Sequence, residues 1–158
     1  MIPAIRRAAE ADSNSIRVLV RQAYERYVGR IGRRPSPMDA DYGRLIYRGL
    51  VHVIGDPIEG VIVLVPEADH LLVENVAVLP ASQGHGLGRR LMRFAEQEAR
   101  GLGYDEITLY TNERMIENLG LYAHLGYEET SRAAGEGFAR VYFRKRLAGG
   151  HGDSQSTV

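Results

Sequence analysis

The chain has 158 residues, 44% of them apolar and none of them cysteine. That length suits one domain, and the missing thiols exclude disulfides, thiolate metal sites and a cysteine nucleophile. Twenty basic residues balance twenty acidic ones, which argues against broad phosphate-backbone binding, and no run approaches the ~18 apolar residues of a membrane span. Arg6, Arg7, Glu10 and Asp12 interrupt the N-terminus, so a signal peptide is not expected and the default location is the cytoplasm. The five histidines show no paired metal spacing, and no metal is expected.

In chain order, residues 2–8 form a candidate first strand. From Ala11 to Val28, Ile16, Leu19, Val20, Ala23, Tyr24 and Tyr27 recur at three- and four-residue spacing, which predicts a helix. Asp12 or Ser13 is placed to cap it. Residues 29–38, GRIGRRPSPM, read as a loop, and 39–47 as a short helix. Strands follow at 51–54 and 61–65, joined by Gly55-Asp56-Pro57, and at 71–79, ended by Pro80. Leu87, Leu91, Phe94, Ala95, Ala99 and Leu102 then keep helical spacing until Gly101 and Gly103 offer a stop. A strand at 107–110, a helix at 115–125 closed by Gly126, and a strand centred on Val141–Phe143 complete the order. Residues 148–158, AGGHGDSQSTV, read as a disordered tail. The sequence β-α-α-β-β-β-α-β-α-β predicts one mixed α/β domain over residues 1–147 rather than regular βαβ repeats.

The segment Gln83-Gly84-His85-Gly86-Leu87-Gly88-Arg89-Arg90 puts three glycines in five residues between a strand and a helix. A helix start leaves backbone N–H groups unpaired and carries partial positive charge. Glycines let a bulky anion approach those groups. Arg89 and Arg90 oppose the helix dipole there, so they read as ligand contacts; the competing reading is an ordinary turn with surface arginines. The dinucleotide pattern GxGxxG fails at Arg89, and GxxxxGK[ST] is absent.

The frame Gln83-x-x-Gly86-x-Gly88 resembles the pyrophosphate loop of the GNAT superfamily of acyl-CoA N-acyltransferases. Asn75-Val76-Ala77-Val78-Leu79-Pro80 looks like the strand that leads into that loop. Asn118-Leu119-Gly120-Leu121-Tyr122 with Leu125-Gly126-Tyr127 resembles the helix that follows the family's fifth strand. The likeness covers about residues 3–147 and is strongest from 73 to 128. It implies a central, mixed, mostly antiparallel twisted sheet of six or seven strands, flanked by about four helices and splayed between the fourth and fifth strands.

The resemblance also implies acetyl-CoA as cosubstrate. Backbone amides of Gly84, His85, Gly86, Leu87, Gly88 and Arg89, with Gln83, are expected at the pyrophosphate, and the backbone of Val76, Ala77 and Val78 at the pantetheine arm. Tyr122 is the matching general acid. Glu74, two residues before Val76 and on its strand face, is the candidate base, acting directly or through water. Asn118 is a candidate pantetheine contact. The family often has an asparagine seven residues before the tyrosine, where this chain has Met115, so Asn112 is an alternative. Tyr24, Tyr27, Arg33 and Met38 are expected on the acceptor side. The expected activity is acetyl transfer to a primary amine, in a small molecule or a peptide, by direct attack in a ternary complex. The protein is expected to be a monomer or homodimer. The alternatives are a non-catalytic acyl-CoA sensor and a transferase for a longer acyl group.

Overall fold

The helical spacing from Ile16 to Tyr27 is realised as α1 (Ser13–Ile31), which buries Ile16, Leu19, Val20, Ala23, Tyr24 and Tyr27. The computed structural model describes residues 3–135 and 138–148. Apart from Ala148, the tail expected at 148–158 lies outside the described residues. Among the described residues there are four α-helices and seven strands: β1 (Ile5–Arg7), α1, α2 (Tyr42–Tyr47), β2 (Val51–Ile54), β3 (Gly60–Pro66), β4 (Leu71–Val78), α3 (Leu87–Gly101), β5 (Glu106–Asn112), α4 (Ile116–His124), β6 (Glu128–Gly135) and β7 (Phe138–Arg146).

The strands are hydrogen-bonded in the order β1-β2-β3-β4-β5-β7-β6. β4 and β5 are parallel, with Leu71, Leu72 and Val73 opposite Ile107, Thr108 and Leu109. The pairs β1–β2, β2–β3, β5–β7 and β6–β7 are antiparallel. The expected mixed α/β sheet is therefore present, and it has the larger of the two expected strand numbers.

The chain divides into two compact units, Met1–Leu64 with Glu74–Met92, and Val65–Val73 with Arg93–Val158. In the first unit β3 is buried from Gly60 to Leu64, on both faces, which is why VIVLV reads as an unbroken apolar run. Ile16, Val51, Val53, Ile54, Val61, Ile62 and Leu91 are fully enclosed there, each contributing about 1.5–3 kcal/mol on burial. In the second unit β5 alternates between half-buried and buried residues, and Ile107, Ala95, Ala99 and Val141 form the interior. Lys145 is the only lysine of the chain. Its Nζ donates to the Leu125 carbonyl at 2.9 Å and to Glu96 at 3.1 Å, which ties β7 to the end of α4 and to α3.

Two expectations change. The sequence pattern predicts no strand over 128–135, yet β6 forms there. Its residues Glu128 to Ala134 are exposed, and it pairs with β7 alone at the sheet edge. An edge strand of this kind lacks the apolar alternation that marks a half-buried strand. Asp12 precedes α1 but makes no side-chain cap to it. Its carboxylate instead accepts from Ala9 N at 2.7 Å and from Arg6 at 2.8 and 3.0 Å. The Arg6 guanidinium, with the Ala9 amide, holds that carboxyl below the usual range.

Candidate functional site

In the first unit the glycine segment forms a turn that leads directly into α3. Gly84 and Gly86 take φ values of +87° and +79°, a region L side chains rarely adopt. A Cβ built on either glycine meets no atom within 4 Å. The turn is anchored behind the glycines. Gln83 Nε2 donates to Val78 O at 3.1 Å, and Leu79 N donates to Glu59 O at 2.8 Å. Gly84, His85 and Gly86 are exposed and Leu87 is buried, while Gly88 and Arg89 are half-buried. The helical ladder begins with Arg90 N donating to Gly86 O at 3.0 Å. The N–H groups of Leu87, Gly88 and Arg89 therefore precede the first intrahelical bond. Arg90 departs from expectation: its guanidinium donates to Pro3 O at 2.7 Å, so it is held by the protein's own backbone.

Along β4, Leu71, Val73, Asn75 and Ala77 are buried, Leu72, Val76 and Val78 half-buried, and Glu74 exposed. Glu74 shares the face of Val76, as its spacing predicts, and stands in solvent. The neighbouring Asn75 was not among the site residues the sequence suggested. It is 7% exposed; its Oδ1 accepts from Tyr24 Oη at 2.5 Å and its Nδ2 donates to Tyr42 Oη at 3.0 Å. Tyr42 Oη in turn donates to Pro37 O at 2.6 Å, and Tyr24 Oη also lies 3.3 Å from Val76 O. The missed signal was an amide at a buried position of an apolar strand, which is costly unless hydrogen-bonded.

Of the residues expected to meet the acceptor, Tyr24 and Tyr27 are buried with ring centroids 6.3 Å apart. Arg26 and Arg30 cover the Tyr27 ring at 4.8 and 5.0 Å. Arg33 is exposed and Met38 half-buried on the loop between α1 and α2. Tyr24 is thus joined to β4 through Asn75, whereas Arg33 lies out on the loop.

In the second unit Tyr122 is 4% exposed. Its ring packs against Tyr127 at 6.2 Å and Phe143 at 5.8 Å between centroids. The Tyr127 hydroxyl is buried, with the Glu96 side chain facing it. Burial pushes that phenol far up, and the Glu96 charge adds to the effect. Asn112 ends β5, and its Oδ1 accepts from Arg114 N at 2.9 Å, a local turn bond. Asn118 is half-buried in the first turn of α4, one turn before Tyr122. Met115 is buried, with its sulfur 3.7 Å from the Thr111 hydroxyl that donates to it. Among the described residues no group of three or more His, Asp or Glu is arranged to hold a metal ion, and no helix is long and apolar enough to cross a membrane.

A profile described as an acetyltransferase (GNAT) domain matches residues 47–129. The chain belongs to the GNAT acetyltransferase family. It is 35% identical over 69 residues to YjgM of Escherichia coli, an uncharacterised N-acetyltransferase, covering 44% of this chain and 41% of that protein. It is 43% identical over 58 residues to mouse N-alpha-acetyltransferase 80, covering 37% of this chain and 17% of that one. These matches thus span less than half the length of either relative. In fold the chain resembles the PaiA N-acetyltransferase of Thermoplasma acidophilum in complex with coenzyme A (TM-score 0.80, 16% identity, 93% of this chain and 100% of that one). It also resembles YncA of Salmonella typhimurium with its cofactor acetyl-CoA (TM-score 0.71, 18% identity, 94% and 96%).

Proposed function

We propose that the protein transfers an acetyl group from acetyl-CoA to a primary amine by direct attack, with both substrates bound. The observation that carries this reading is the turn at Gly84–Gly86. Its two positive φ angles, the open space over both glycines and the helix start behind them fit a pyrophosphate. Side chains on either glycine would fill that space.

Acetyl-CoA, when bound, supplies an acetyl group already activated as a thioester. The amides of residues 84–89 hold the anionic end, with Arg89 adding positive charge and Gln83 fixing the turn. The backbone of Val76–Val78 receives the pantetheine arm as an added strand, and one N–H there polarises the thioester oxygen. Tyr122 donates its phenolic proton to the leaving sulfur; a phenol of pKa ~10 suits a thiolate of similar basicity. Asn118 or Asn112 holds the arm, and Asn118 is favoured because the Asn112 carbonyl oxygen is engaged with Arg114 N.

Glu74 accepts the amine proton, and its exposure favours a route through water. Glu74→Gln is expected to change the pH–rate profile; an unaltered profile sets this role aside. Tyr24, Tyr27, Arg33 and Met38 form the acceptor side. A peptide α-amino group is a first acceptor to test, because one relative is named an N-alpha-acetyltransferase. The reading places the enzyme in the cytoplasm as a monomer or homodimer.

The test is thiol release from acetyl-CoA with a free-N-terminal tripeptide, lysine, spermidine and an aminoglycoside. Amine-dependent release supports the reading. Binding of acetyl-CoA with no release for any amine favours the sensor instead.

A further inference from the structure

We propose that Asn75 is a positioning residue that fixes the acceptor-side loop, residues 35–41, onto the strand expected to hold the acyl donor. It acts through a one-way chain of hydrogen bonds. The inference rests on the acetyl-transfer reading for its functional meaning, though not for its structural test.

The direction of the chain follows from counting protons. Tyr42 carries one hydroxyl hydrogen and gives it to Pro37 O at 2.6 Å. Its oxygen must then accept from Asn75, whose amide nitrogen stands 3.0 Å away. That turns the Asn75 carbonyl oxygen toward Tyr24, which donates to it at 2.5 Å. Every assignment is forced by the one before it. Burial pushes the Tyr42 phenol up, and the Glu74 charge adds to this against the opposing Asn75 hydrogen bond. The hydroxyl therefore stays protonated and keeps its donor role.

The geometry gives the chain three anchor points. Tyr24 belongs to α1, Asn75 to β4, and Tyr42 to the first turn of α2. Pro37 lies in the loop between the two helices, where Met38 N donates to Pro35 O at 3.0 Å. Tyr42 and Asn75 are 1% and 7% exposed, so water does not readily replace a lost partner. One amide thus ties the loop bearing Met38 to the strand, one residue before Val76. The chain sets where the amine is presented, while the glycine turn holds the donor independently.

The experiment compares Asn75→Leu, Tyr42→Phe and the double variant with the wild type by hydrogen exchange. Backbone amides of residues 36–41 are expected to exchange about 10-fold faster in Asn75→Leu, while those of 106–112 in β5 are unchanged. The double variant should exchange no faster than Asn75→Leu, because both substitutions break one chain. In kinetics, KM for whichever of the four amines the wild type acetylates rises, whereas the dissociation constant for coenzyme A stays within about 2-fold.

Unchanged exchange at 36–41 overturns the proposal. So does faster exchange at both segments, additive effects in the double variant, or a parallel loss of coenzyme A affinity. Tyr42→Phe removes a single oxygen and keeps the test available if Asn75→Leu does not fold. A wild type that fails to bind coenzyme A refutes the acetyl-transfer reading, and the exchange result still decides the role of Asn75.

Discussion

Replacing Tyr122 by phenylalanine is expected to lower turnover about 10²-fold or more, the usual contribution of a placed general acid, equivalent to about 2.7 kcal/mol in the barrier. The substitution removes one oxygen and leaves the ring. The contacts to Tyr127 and Phe143 at 6.2 and 5.8 Å persist, so the fold should lose no more than about 1 kcal/mol. Coenzyme A affinity should stay near that of the wild type, because the glycine turn is untouched. The decisive measurement is single-turnover acetyl transfer, which isolates the chemical step. A Tyr122→Phe enzyme with unchanged single-turnover rate removes Tyr122 from the chemistry. The buried Tyr127 hydroxyl would then become the next phenol to test.

The other large effect is expected at the turn. Gly86→Val should weaken coenzyme A binding about 100-fold or more. Gly86 has φ +79°, where a β-branched residue carries strain of roughly 1–3 kcal/mol. The new side chain would also occupy the space that a pyrophosphate needs. Gly103→Val separates the two causes. Gly103 has φ +87° and similarly open surroundings, but it lies after α3, away from the turn. Both variants should lose stability, and only Gly86→Val should lose coenzyme A. Equal affinities in calorimetric titration would mean that the turn is not the anion site.

The elements legible in the sequence are those whose burial imposes a period. α1 and α3 were readable because one stripe of each is enclosed, and β3 because it is covered on both faces. β6 was not, since an exposed edge strand carries no apolar alternation. The turn at 84–86 was readable because its backbone angles demand glycine. The Tyr24–Asn75–Tyr42 chain was not. Its members lie 33 and 51 residues apart in sequence, and their meeting depends on tertiary packing. Tyr24 read as a residue of the helical stripe and of the acceptor side, and Asn75 as part of a strand motif. Arg90 shows the same limit from the other side. Its position in the first turn of α3 suggested an anion contact, and only the fold reveals Pro3 O as its partner.

The most direct test of the account is thermal unfolding of the wild type with acetyl-CoA, coenzyme A, NAD and ATP at equal excess. A ligand at ~100 times its dissociation constant adds about 2.7 kcal/mol to stability, a shift of several degrees for a domain of this size. The account predicts that acetyl-CoA and coenzyme A raise the midpoint and that NAD and ATP do not. A midpoint raised by NAD or ATP and unmoved by both CoA species would contradict it.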